Sequence, residues 1–148
     1  MASKNPLKRP KALGRVLNFT AGASTLMCQE LLEPYGLTLQ QWVILSALWR
    51  RDGMLVTEIA DYVGTNTPAA SRIIDRMEER GFVDRKPSAS DRRAVLVNIT
   101  EKGQELSHLS TFFQDVNNKL LDGLSDDEST LLFELLARVE ANAKSNLK

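Results

Sequence analysis

The sequence predicts a mainly α fold with a small β-hairpin wing, in which a winged helix-turn-helix is embedded between dimerisation helices. Three observations point there. Two short helical segments are joined by the tight turn Gly64-Thr65-Asn66. A proline-started polar loop, Pro87 to Arg93, separates two strand-like runs. Apolar residues recur at helical spacing toward both ends of the chain.

The elements follow in order. Residues 1–10 (MASKNPLKRP) hold two prolines and no periodicity, which reads as a loose arm. A helix is expected from about residue 11 to 33, with Leu13, Val16, Leu17, Leu26, Met27, Leu31 and Leu32 as its apolar stripe and Pro34-Tyr35-Gly36 as its end. Thr38 to Gln41 fits a capping box, in which Thr38 caps the helix and Gln41 reaches back. That helix should continue through Trp42, Leu45 and Trp49 until Asp52-Gly53 breaks it. A short helix over 57–63 comes next, with Ile59, Ala60 and Val63 inward and Gly64 at its close.

Asn66 or Thr67 then caps a helix reaching Arg80-Gly81, and Pro68 sits in its first turn, where a missing N–H costs nothing. Residues 82–86 and 95–99 read as strands, with 95, 97 and 99 sharing a face. Thr100 should start a long helix, because Leu106, Leu109, Phe113, Val116 and Leu120 recur at steps of 3, 4, 3 and 4. Such a seam is coiled-coil-like and wants a partner helix. Ser125 to Glu128 is a second capping box, before a last helix carrying Leu131, Leu132, Leu135, Leu136 and Val139. One domain over 1–148 is expected, with the DNA-binding part at 38–100 and the dimerisation part at 11–37 and 101–148.

Composition narrows the functions. The chain has 148 residues, 43% hydrophobic and 26% charged, which is a soluble globular profile. No apolar run approaches the roughly 18 residues of a membrane span, and no signal-peptide core is visible, so no membrane partner and a cytoplasmic location are expected. Net charge is zero, but residues 1–29 carry +5 and residues 101–148 carry −4, so attraction to DNA would come from patches. The single cysteine, Cys28, excludes an intrachain disulfide framework and a thiol-rich metal site. With one histidine, no Gly-rich phosphate loop and no metal-spaced cluster, no catalytic residue, cofactor or metal is expected and an enzyme is the weakest reading.

The chemistry concentrates in residues 66–100. At about 100° per residue, Ala70, Ile73, Ile74 and Met77 face the core, while Pro68, Ser71, Arg72, Asp75, Arg76 and Glu79 face out. Arginine can offer a bidentate donor pair to guanine, Ser71 can bond a base or phosphate, and Ala69 or Pro68 can touch a thymine methyl. The plain alternative is a solvated face knitted by Arg72–Asp75 and Arg76–Glu79 pairs. In the loop, Arg92 and Arg93 suit the negative potential of a narrow minor groove. Asp91 would accept hydrogen bonds from an arginine and fix the loop, or the loop is an ordinary hairpin with an internal ion pair. The candidate DNA-binding residues are Asn66, Thr67, Pro68, Ala69, Ser71, Arg72, Arg76, Asp91, Arg92 and Arg93.

Ile59-Ala60, the run Met77 to Val83, the wing Asp91-Arg92-Arg93 and the run Leu96 to Gly103 together resemble MarR-type transcriptional regulators, and the likeness extends over nearly the whole chain. The resemblance implies a homodimer with intertwined first and last helices, presenting two winged units to double-stranded DNA with a pseudo-palindromic operator. It implies Arg93 in the minor groove and residues 66–76 in the major groove. Pro68, Ala69 and Ala70 stand where family members often carry polar residues, which shifts base reading toward Ser71, Arg72 and Arg76. It also implies a site for a small aromatic or phenolic effector, for which Arg15 could pair a carboxylate and Phe19, Trp42 and Trp49 could supply flat walls. Core packing is the plainer reading of the two tryptophans. One branch of the family senses peroxide through a cysteine early in the first helix, but Gly14 stands there; Cys28 lies roughly four helical turns on and reads as a buried, inert thiol. His108 reads as a surface residue. A ligand-responsive repressor leads these expectations, and a winged-helix protein-interaction module without DNA binding is the alternative from another class.

Overall fold

The computed structural model describes residues 10–148, so the expected N-terminal arm, with Lys4, Lys8 and Arg9, lies outside the described residues. The chain divides into two compact units, the first ending at Ser110 and the second running Thr111–Lys148.

In the first unit, α1 spans Leu13–Leu32 and a single 3₁₀ turn, Glu33–Tyr35, follows it. Gly36 then takes φ +65°, a left-handed conformation that suits glycine and turns the chain toward α2, Leu39–Arg50. The Thr38 box forms as expected: the Gln41 N–H donates to Thr38 Oγ1 and the Thr38 N–H to Gln41 Oε1, both at 3.2 Å. Helix α2 is the central helix, burying Gln41, Trp42, Ile44, Leu45, Ala47 and Leu48. Around it stand α3 (Val56–Val63) and α4 (Thr67–Glu79), joined by the Gly64 turn. Leu32, Ile44, Leu45, Leu48, Ile59, Ile74, Met77, Val83 and Val97 form the innermost core.

The wing is larger than the expected hairpin. Strands β2 (Val83–Pro87) and β3 (Val95–Ile99) pair antiparallel, and a two-residue strand β1 (Met54–Leu55) adds to the other side of β3, giving the order β1-β3-β2. Met54 lies opposite Val97 and Leu55 opposite Leu96. Asp52 Oδ1 accepts the Ile99 N–H at 2.8 Å, which ties the end of α2 to β3.

The single long helix expected after Thr100 is instead three pieces: α5 (Glu101–Gln104), a 3₁₀ segment (Ser107–Thr111) and α6 (Phe112–Leu120). Side chains of α2 account for the interruption. The Trp49 indole N–H donates to the Gly103 carbonyl at 3.1 Å, and the Trp42 indole N–H to the Leu109 carbonyl at 2.9 Å. Gly103 also lies so close to the Phe82 carbonyl and Ile99 that a Cβ there would clash with backbone. The apolar seam splits accordingly, with Leu109 buried but Phe113 and Leu120 49% and 47% exposed.

In the second unit, α6 is followed by α7, Asp126–Ser145. Its Ser125 box forms as the sequence predicts, with Glu128 N–H donating to Ser125 Oγ at 3.1 Å and Ser125 N–H to Glu128 Oε2 at 3.3 Å. Asp126, Asp127 and Glu128 oppose the positive end of the helix dipole. No residue of α7 is buried.

Candidate nucleic-acid interface

Helix α4 starts where a side chain can satisfy its first donors. Asn66 Oδ1 accepts the Ala69 N–H at 2.8 Å, and Pro68 stands in the first turn. Its inward face is Ala70, Ile74 and Met77, all fully buried. Thr67, Pro68, Arg72 and Arg76 are exposed, and Ala69 and Ser71 are half-buried.

Among the described residues neither Arg72 nor Arg76 has a carboxylate within salt-bridge distance. The Arg72–Asp75 and Arg76–Glu79 pairs considered as the plain alternative do not form. Asp75 and Glu78 turn instead to Arg85 on β2. Its Nη2 lies 2.8 Å from Asp75 Oδ1 and its Nη1 3.2 Å from Glu78 Oε1. The Arg85 N–H donates to Glu78 Oε2 at 3.1 Å, and Nη2 reaches the carbonyl and hydroxyl oxygens of Ser71 at 3.3 Å.

Arg85 was absent from the sequence-derived candidates. The available signal was a basic residue two positions beyond buried Val83, hence on the same face of its strand, after a helix with two acids near its end.

The wing tip is shaped by backbone contacts. Ser88 N–H donates to the Ala94 carbonyl at 2.8 Å and Ala94 N–H to the Asp91 carbonyl at 3.1 Å. Asp91 Oδ1 accepts the Arg93 backbone N–H at 2.9 Å, so it does fix the loop through an arginine, but by its main chain and not its guanidinium. No ion pair forms within the loop itself, the hairpin's one pair being Lys86–Asp84 on β2 at 3.7 Å, and Arg92 and Arg93 project exposed with no carboxylate partner among the described residues.

Other basic groups are consumed by the fold. Arg80 donates to the Gly36 carbonyl and stacks over the Phe82 ring at 4.8 Å, while Lys102 Nζ donates to the Arg80 carbonyl at 2.7 Å. These contacts bind the C-terminal end of α4 to the turn before α2. They also separate structural cations from the arginines left for a partner.

The four candidate effector residues divide into pairs. The Arg15 guanidinium lies 5.3 Å from the Phe19 ring centre, and both line a groove of about 190 Å³ with Pro10, Val16 and Thr20. Trp42 and Trp49 do not line it; their indoles hold the Leu109 and Gly103 carbonyls. Cys28 is buried, and burial pushes its thiol up, offset in part by a hydrogen bond with Ser24. His108 is exposed, its Nδ1 3.1 Å from the Glu105 carbonyl and its ring edge-on to Tyr35. Among the described residues no group of three or more His, Cys, Asp or Glu could hold a metal, and no helix is long and apolar enough to cross a membrane.

Residues 37–95, from the start of α2 into the wing, match the model of the MarR family. The winged unit of this chain is thus similar to that of the MarR family. Solved structures extend the likeness to the full fold. The transcriptional regulator SlyA superposes with a TM-score of 0.81 at 26% identity, over 92% of this chain and 96% of that one. A mutant MarR from E. coli complexed with operator DNA gives 0.79 at 27% identity, over 86% and 92%. The transcriptional repressor CouR, bound to a 23-mer DNA duplex, gives 0.78 at 26% identity, over 88% and 94%. The fold is thus that of the MarR-like winged-helix transcription regulators.

Proposed function

We propose that this MarR-type chain is a homodimeric repressor that binds a pseudo-palindromic operator and is released by a small aromatic or phenolic acid. The observation that carries the reading is the set of four exposed arginines, Arg72, Arg76, Arg92 and Arg93, none with a carboxylate partner among the described residues. Arg72 and Arg76, one turn apart on α4, suit bidentate pairing with guanine in the major groove. Ser71 adds a hydroxyl, and Ala69 and Pro68 offer surfaces for a thymine methyl. Asn66 and Thr67 set the N-terminus of α4 toward phosphate, where free amides and the helix dipole favour an anion. Arg92 and Arg93, presented by the Asp91 turn, suit the minor groove alongside.

Dimerisation is supported by apolar surface that each unit leaves uncovered. On α1, Leu13, Val16, Phe19 and Leu26 are 55–63% exposed; on α7, Leu131, Leu132, Phe133, Leu135 and Leu136 are 38–56% exposed. A second copy is the occupant that also explains a paired operator, since a two-fold axis repeats the reading head. The Arg15–Phe19 groove offers a guanidinium for a carboxylate and a ring for an aromatic face. Its volume is below the roughly 300–1,000 Å³ of drug-sized sites, which restricts it to a small acid. Such a ligand relieves repression only by binding better to a dimer poorly spaced for DNA.

Fluorescence anisotropy with a labelled operator duplex tests the reading. Affinity should fall steeply with salt because bound phosphates release counterions. Arg93→Ala should weaken binding at most sequences, whereas Arg72→Ala should also blur the preference at one base position per half-site. Wild-type affinity in both variants would show the groove assignments to be wrong. Absent or salt-insensitive duplex binding would favour a winged-helix module that binds protein.

A further inference from the structure

We infer that Arg85 is a positioning residue that both braces the wing against α4 and lessens the acidity of that helix, making it compatible with phosphate. The inference deepens the proposed DNA-binding function and rests on that reading for its second half. On its own, α4 is an awkward partner for DNA, because Arg72 and Arg76 are outnumbered by Asp75, Glu78 and Glu79. Carboxylates near a phosphate backbone repel it, and like charges juxtaposed across an interface cost several kcal/mol.

The geometry answers this conflict with one side chain. Arg85 reaches Asp75 at 2.8 Å and Glu78 at 3.2 Å, with only 21% of its own side chain exposed against 56% and 43% for the two acids. The same guanidinium touches the Ser71 carbonyl and hydroxyl oxygens, so it spans two turns of α4 from Ser71 to Glu78. Arg85 N–H donates to Glu78 Oε2, so the acid also grips the strand's main chain. β2 leads directly into the loop carrying Asp91, Arg92 and Arg93. One residue therefore ties the strand that leads into the wing loop to α4, and its single positive charge, shared between Asp75 and Glu78, lessens the net acidity of the helix.

Arg85 differs from the four exposed arginines in having its donors occupied, so its role is to act through neighbours and not to touch phosphate. That distinction is measurable. Two readouts on the full-length protein test it, one without DNA. In amide hydrogen exchange, Arg85→Gln should speed exchange across β2, the loop and β3 while leaving α2 unchanged. Equal exchange in variant and wild type overturns the brace. In anisotropy titrations across salt, Arg85→Gln should weaken operator binding by about tenfold with the salt slope retained, whereas loss of a direct phosphate contact would flatten the slope by nearly one. Arg85→Lys should recover part of the affinity. Adding Asp75→Asn and Glu78→Gln to Arg85→Gln should recover the part lost to charge although no cation is restored, the part lost with the brace remaining. A flattened slope, or no recovery on neutralising the acids, overturns the charge role. If the wild type itself binds no duplex, the DNA reading fails and the charge role with it, while the exchange experiment still decides the brace.

Discussion

Helices α4 and α7 begin alike and end up in opposite circumstances. Each is opened by a side-chain cap, Asn66 for α4 and Ser125 for α7, and each has an apolar stripe. Helix α4 places Ala70, Ile74 and Met77 wholly inside its own unit, and turns an arginine face outward. Helix α7, seven residues longer, buries nothing and leaves five large apolar side chains in solvent. Full burial of each such side chain stabilises by about 1.5–3 kcal/mol, so the face of α7 represents a large unrealised gain. The contrast teaches that α4 is anchored within its own unit, whereas α7 leaves an apolar face exposed, the surface that the proposed dimer would bury.

The sharpest way to break that contrast is to attack each face where it differs. Ile74→Ala should cost about 2–5 kcal/mol in urea denaturation, because the site is close-packed and cannot collapse fully. A loss below about 1 kcal/mol would mean α4 is not anchored as described. Leu132→Glu with Leu136→Glu should leave the fold of the first unit intact but raise the dimer dissociation constant by about tenfold or more, as burying unpaired charge at an apolar contact requires. Sedimentation velocity reads this directly, and an unchanged dimer would remove α7 from the interface.

Smaller substitutions sharpen the part the helices share. Asn66→Ala and Ser125→Ala should each cost about 1 kcal/mol by thermal or chemical unfolding, since both remove a comparable cap. Unequal losses would locate a further duty for one cap. Smallest is Glu58, at the start of α3. The Leu55 backbone N–H first, and then Arg51, hold its carboxyl below the usual range. A depressed carboxylate contributes stability above its unfolded pKa and loses it as pH falls through the folded value. Glu58→Gln should therefore flatten the acid limb of the stability profile slightly, and an identical limb would assign that slope to other carboxylates.

What could be read from the sequence follows the range of the forces involved. The Thr38 and Ser125 boxes are local, their partners three residues apart, and both formed as expected. The winged core was legible because Ile74, Met77 and Val97 obey the helical and strand periods. Strand β1 was not, since two residues carry no period. The break after residue 104 was invisible for another reason: the spacing of Leu106 to Leu120 says nothing about carbonyls claimed by Trp42 and Trp49, which lie 67 and 54 residues earlier. The same limit hid Arg85, whose importance lies in partners on a different element. It also led the sequence to group Trp42 and Trp49 with Arg15 and Phe19, when the indoles are occupied elsewhere.

Selection of bound duplexes from a random pool by the full-length protein tests the central claim most directly. An α4 that reads DNA, in a chain whose α7 face is covered by a second copy, should enrich a two-fold symmetric motif with half-sites about one helical turn apart. No enrichment, or a single half-site without its symmetric mate, would contradict it.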